Sequence, residues 1–199
     1  MALDPNATPV INSNFVWELK TEPTDEPITL SEVKTYSRID GSSENSFLSG
    51  LITAVRKATE EYLGRSLMPQ TWKLVMDQWP EDGVYLPRPP IVSVSSIVTL
   101  DEDDAETTYE DSNYYVIAGK NEGWIRIRQD GTPPTNSDRG YGGYKVEYVT
   151  GYTDADSIPG PIKEAMMVWI AIIYENRVPL EDPPDIAKTL MNSYRIISI

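Results

Sequence analysis

The spacing of apolar residues divides the chain into helical ends and a stranded middle. Leu30, Val33, Tyr36 and Ile39 recur at three-residue steps and predict one face of a short helix. Thr29 and Glu32 flank its start as a capping box, with Ile28 and Val33 placed for a hydrophobic staple. Asp40-Gly41-Ser42-Ser43 breaks the pattern. A second helix is expected from about Ser43 to Leu63. Phe47, Leu48, Leu51, Ile52, Val55, Ala58, Tyr62 and Leu63 form its buried stripe, with Ser49, Thr53, Arg56, Lys57 and Glu60 on the other face. Gly64 suits the position just past its end.

From Leu67 the period falls to two. Strands are expected at 71–77, 84–86, 91–100, 107–109, 114–117, 124–128 and 144–148. Trp124, Arg126 and Arg128 share one strand face, and Ile125 and Ile127 the other. Tyr144, Val146 and Tyr148 alternate cleanly with Lys145 and Glu147. The acidic run Asp101–Glu106 reads as a hairpin tip, and residues 129–143 as a long loop.

Helical spacing returns at Pro159–Arg177. Pro161 suits the first helical position. Glu164 is expected in the first turn, where the helix dipole favours a negative charge. No residue from Ala165 to Tyr174 is charged. The stripe Ile162, Ala165, Met166, Trp169, Ile170 and Ile173 is joined by Met167, Val168 and Ile172, so apolar surface nearly encircles the helix. Such a helix is either the centre of a core or packs on its own fold with one face and on a partner with the other. Met167, Trp169, Ile172, Ile173 and Tyr174 are the candidates for that partner contact. Pro179 helps to end the helix. A last helix follows Pro183-Pro184-Asp185, with Ile186, Leu190 and Tyr194 on its face. The ending Arg195-Ile196-Ile197-Ser198-Ile199 is β-branched and suits either strand addition to another sheet or packing on its own domain. Residues 1–27 read as an extended arm whose Phe15–Leu19 island docks on its own domain or on a neighbour.

The predicted fold class is α+β: a four-helix bundle-like base interrupted by an antiparallel β domain between helices two and three. The expected divisions are an arm (1–27), a first helical half (28–68), the β domain (69–152), a second helical half (153–194) and a tail (195–199).

Composition narrows the chemistry. The 199 residues contain no Cys and no His. Thiol and imidazole nucleophiles are therefore excluded, as are the commonest general base and most zinc and copper sites. Net charge is −14, so electrostatic attraction to nucleic acid or an anionic membrane is not expected. No apolar run approaches the roughly 20 residues of a bilayer-spanning helix. The N-terminal residues lack a signal-peptide pattern, and a soluble protein made inside the cell is expected. The run 101–106 fails as a calcium loop, because Glu106 falls on the glycine position and Ser112 on the closing glutamate position. Gly140–Gly143 precedes a strand rather than a helix and does not make a phosphate loop. Asn6-Ala7-Thr8 is a glycosylation sequon in form only. No catalytic, cofactor or metal site is expected. The five Trp and twelve Tyr read as core and interface anchors, or alternatively as the face of a carbohydrate- or ligand-binding β module on a helical base. A hydrolase using paired carboxylates is a third reading.

A series of short segments, in order and suitably spaced over about residues 27–180, resembles the head–tail connector (adaptor) family of tailed phages and gene-transfer agents, in its long variant with an inserted β domain. They are Ile28–Lys34 and Tyr36–Asp40, Glu60–Leu67 leading to Gln70-Thr71-Trp72, Leu86–Ile91, Val146–Tyr152, Ile158–Lys163 and Tyr174–Arg177. The resemblance implies a structural virion protein of the head–tail junction, made in the bacterial host cytoplasm, with no catalysis. It implies a homo-oligomeric ring, usually a dodecamer, below the portal protein. That ring would extend the channel for double-stranded DNA and carry a stopper or tail-completion protein, with no membrane contact. It also implies portal contact by the C-terminal segment, carried here by Tyr194, Arg195, Ile196, Ile197 and Ile199.

Overall fold

The computed structural model describes residues 15–135, 139–177 and 182–196. The fold is mixed α+β, with antiparallel sheets and, among the described residues, four α-helices. The chain divides into two compact units: residues 15–22 with 70–150, and residues 23–69 with 151–196.

The first unit is built from strands. Its main sheet holds β1 (Phe15–Thr21), β2 (Gln70–Met76), β4 (Ile91–Leu100), β5 (Glu106–Thr108) and β8 (Tyr144–Thr150), in the order β1-β2-β8-β4-β5. A three-stranded sheet holds β3 (Val84–Tyr85), β6 (Tyr114–Ala118) and β7 (Gly123–Ile127), in the order β3-β7-β6. Strand β8 is central because its alternation supplies one wholly apolar face. Tyr144, Val146 and Tyr148 are all buried. They register against Met76, Leu74 and Trp72 of β2 on one side and against Thr99, Ile97 and Val94 of β4 on the other. Burial raises the Tyr148 phenol well above its ordinary value. Val84, Leu86, Tyr114 and Ile125 complete the core of this unit. Gly123 is required there, because a Cβ would lie 2.1 Å from Ile91 Cγ1.

Of the two dockings open to the Phe15–Leu19 island, the structure shows the one on its own domain: the island is part of strand β1, the edge of the unit's own sheet, with Phe15 opposite Met76 and Leu19 opposite Trp72. Two features depart from the sequence pattern. In β4 the register shifts between Ile91 and Ser93 and again between Val94 and Ser96. Each irregularity breaks the two-residue alternation, and Val92, inside the first, is exposed. Tyr109 is expected in a strand but follows β5, and its ring stacks on that of Tyr114 at 5.9 Å. The acidic tip is a hydrogen-bonded turn, in which Asp101 Oδ1 accepts from the N–H of Asp103 (3.0 Å) and Ala105 (2.9 Å).

The second unit carries α1 (Leu30–Tyr36), α2 (Asn45–Leu63), α3 (Gly160–Asn176) and α4 (Asp185–Met191). The capping box at Thr29 and Glu32 forms as its spacing requires, and Ile28 and Val33 beneath it are both buried. Leu48, Ile52, Val55 and Leu63 of α2 pack with Ile162, Met166, Trp169 and Ile170 of α3 and with Ala187 and Met191 of α4 in one core. Gly64 closes α2 in the left-handed conformation, at φ 66°.

The α2 stripe is corrected at three positions. Phe47 is exposed. Arg56 and Glu60, expected on the solvent face, are buried, with Arg56 only 2% exposed. Arg56 Nε donates to Glu26 Oε2 (2.8 Å) and Arg56 Nη1 to Glu60 Oε2 (3.0 Å). Glu60 Oε1 accepts from the Leu67 N–H at 2.7 Å. Burial alone would lower the Arg56 pKa, but the charges of Glu60 and Glu26 outweigh it and raise it. The face of α4 is also corrected: Ala187 and Met191 turn inward, while Ile186 is exposed.

Candidate assembly surfaces

Helix α3 begins at Gly160, one residue before the expected first position Pro161, and Glu164 therefore lies beyond its first turn. It ends with Arg177 in the left-handed conformation at φ 55°; Pro179 lies outside the described residues. Residues three and four apart share a helix face, so the burial pattern resolves into sides. Ile162, Ala165, Met166, Trp169 and Ile170 face the core of their unit. On the opposite side Val168, Ala171 and Ile172 are half-buried, between the half-buried Glu164 and the exposed Glu175. The uncharged run is thus buried on one side only. The difference comes from the breadth of the apolar surface, which exceeds what this core covers.

Of the sequence candidates, Trp169 is corrected to a core residue. It is 1% exposed, so its ring is not on the surface. Met167, Ile173 and Tyr174 lie half-buried at the margin of the core. Ile172 belongs to the outward side.

The C-terminal end of α3 carries a polar and aromatic cluster that the spacing alone does not reveal. The Tyr174 hydroxyl donates to Glu44, and Arg177 Nη2 donates to Glu44 Oε1 at 2.7 Å. The Arg177 guanidinium lies over the rings of Tyr174 (4.5 Å) and Phe47 (5.2 Å). These donors, Tyr174 first and then Arg177, hold the Glu44 carboxyl below its ordinary value. The same hydrogen bond raises the Tyr174 phenol. The sequence signals were an Arg just past the end of α3 and a Glu just before α2, and they are separated by most of the chain.

The C-terminal candidates divide. Tyr194 packs on the margin of the helical core. Arg195 Nε donates to the Tyr62 carbonyl at 3.1 Å, and its guanidinium lies over the Tyr62 ring. The Ile196 N–H donates to the Leu63 carbonyl at 2.8 Å. Tyr194–Ile196 therefore return to the C-terminal end of α2. Ile197 and Ile199 lie outside the described residues.

Among the described residues, no group of three or more metal-ligating side chains is arranged to hold an ion, and no helix is long and apolar enough to cross a membrane. The carboxylates with depressed pKa are held by ordinary partners: Glu18 by Lys73, Glu106 by Lys145 and Asp154 by Ser157.

The fold itself recurs in chains solved within gene transfer agent particles. The chain is similar in structure to one from the neck of an empty gene transfer agent (GTA) particle computed with C6 symmetry, at TM-score 0.79 and 16% identity. It is similarly close to one from the virion of a native gene transfer agent particle, at TM-score 0.79 and 18% identity. A third, from the neck of a native GTA particle computed with C12 symmetry, gives TM-score 0.70 at 16% identity. Each likeness covers 92% of this chain and 97% of the other. No curated protein sequence matches the chain.

The family model described as head completion protein matches residues 26–178, and the chain belongs to that family. The kinship with phage head–tail connectors expected from the ordered segments is borne out.

Proposed function

We propose that the protein is a head-to-tail adaptor that forms a ring, a dodecamer, below the portal. The ring extends the DNA channel and joins the capsid to the stopper or tail. The observation that carries this reading is the outward side of α3. Val168, Ala171 and Ile172 form an apolar strip that the chain's own core leaves half-covered, and a subunit in a ring can bury such a strip against its neighbour. Met167, Ile173 and Tyr174 flank the seam. The symmetry of the similar neck particles and membership of the head completion family support the ring. The acidic net charge suits a channel that DNA must pass without being held, since like charge gives no counterion-release gain.

In the same reading the helical unit is a bundle-like base and the strand unit is an insertion between α2 and α3. In this reading the C-terminal segment that starts from Tyr194–Ile196 makes the portal contact, by strand addition.

The test replaces Ala171 and Ile172 by Glu. Assembly on the portal should be abolished in cryo-electron microscopy of reconstituted necks, while the thermal midpoint shifts by less than about 4 °C, as expected for half-exposed positions. Normal rings from this variant would defeat the seam.

A further inference from the structure

The outward face of the three-stranded sheet carries a pattern that the α3 seam does not use. Register places Tyr85, Trp124 and Ile117 in one row across β3, β7 and β6, and Arg126 beside Tyr115 in the next. Their inward neighbours Val84 and Ile125 are fully buried, so alternation turns these residues outward. Tyr115 is 53% exposed and Ile117 46%. The guanidinium of Arg126 lies 4.6 Å from the Trp124 ring centre and that of Arg128 lies 3.9 Å from that of Tyr115. The Tyr85 and Trp124 rings meet edge-on at 5.3 Å. Arg126 also donates to the Asp82 carbonyl, and Arg128 Nε to that of Tyr114 at 3.2 Å. Both forks are thus fixed before any partner arrives. Trp, Tyr and Arg in one patch are the residues that dominate binding energy at protein interfaces.

No carboxylate is among these outward positions. The tip between β4 and β5 is the reverse: Asp101, Glu102, Asp103 and Asp104 are all exposed, and although Asp104 pairs with Arg139, Glu102 and Asp103 stand out beside it. Two chains of net charge −14 repel each other. Adjacent copies therefore need their few ordered cations set against a neighbour's carboxylates. We infer that the Tyr85–Trp124–Arg126–Tyr115–Arg128 face receives the acidic β4–β5 tip of a second copy. The contact is head-to-tail and so propagates around a closed ring. Fixed guanidinium forks meet the carboxylates of Glu102 and Asp103, and the aromatic rows exclude water around them. This inference rests on the ring reading and names a second contact within it.

The test measures the mass of the full chain by light scattering over a range of concentrations, with and without double-stranded DNA. Arg126→Glu with Arg128→Glu should weaken assembly at least tenfold, and so should Glu102→Lys with Asp103→Lys. Combining all four should restore it. Arg126→Gln with Arg128→Gln, which keeps the size and removes the charge, should weaken it in the same direction and serves if the reversed pair fails to fold. Unaltered assembly of the arginine variants would overturn the inference, as would failure of the four-fold swap to restore it. DNA retained by the native chain and released by the arginine variants would assign the face to nucleic acid and overturn it too. A native chain that stays monomeric at every concentration, with and without portal, would instead sink the ring reading itself.

Discussion

Glu60 shows how much one side chain can hold. Its carboxylate takes the Arg56 guanidinium on one oxygen and the Leu67 N–H on the other, both inside the helical unit. Removing one partner of a buried pair costs more than the pair itself contributes, because the survivor is left desolvated. Glu60→Ala should therefore lower stability by about 3–5 kcal/mol, read from the urea midpoint. Glu60→Gln, which can still accept from Leu67, should lose less. Spacing places Arg56 and Glu60 on the polar face of α2, as local grounds require. That placement failed because Glu26, thirty residues earlier on Arg56's other side, was invisible to periodicity. Trp169 misled in the opposite way. Its neighbours are apolar on every side, so pattern alone could not say which rings face a partner and which the core.

At the scale of elements, the most legible features were those encoded locally. The capping box at Thr29 and Glu32 needs only four residues and formed as expected. Thr29→Ala should cost about 1 kcal/mol in chemical unfolding. The Thr29 N–H and hydroxyl hold the Glu32 carboxyl below its ordinary range. Its folded pKa is depressed, so its contribution is present above the unfolded value and is lost as pH falls through the folded one. The gap between native protein and Thr29→Ala should accordingly narrow below about pH 4.5. Strand β8 was equally legible, since unbroken alternation over Tyr144–Tyr148 has one physical explanation. Strand β4 was legible in extent but not in register, because its two irregularities depend on what β8 offers opposite. Strand β1 was legible as an apolar island but not in its partner, because a short island is compatible with any sheet edge, its own or a neighbour's. The outward α3 strip and the Arg126 face were both visible as patterns, but their exposure depended on how much the core could cover.

For the whole molecule, charge and burial pull against each other along the pH axis. The chain carries 31 acidic and 17 basic residues and has a pI near 4.4. Acidification toward that value relieves self-repulsion. Glu18, Glu32, Glu44, Glu106 and Asp154 all have depressed folded pKa values. Their shared contribution persists above the ordinary carboxylate range and disappears as pH falls below it. Below the pI both effects act together, since the chain then becomes net positive as its ion pairs are lost. The thermal midpoint should stay level down to about pH 4.5 and fall steeply beneath it. A midpoint that rises steadily to pH 3 would refute this account.

The central place of β8 has a consequence in time. It lies between β2 and β4, yet it is made after both, as the last strand of its unit. On the ribosome β1 and β2 can pair with each other early, but β4 has no inner neighbour until residues 144–150 emerge. The sheet must wait for its middle. Its apolar faces stay uncovered through that interval, which long-range pairing of this kind makes slow. Strands that pair early and close late give the unit a single committed moment of folding. A chain truncated before Tyr144 is left with two half-sheets and nothing to join them.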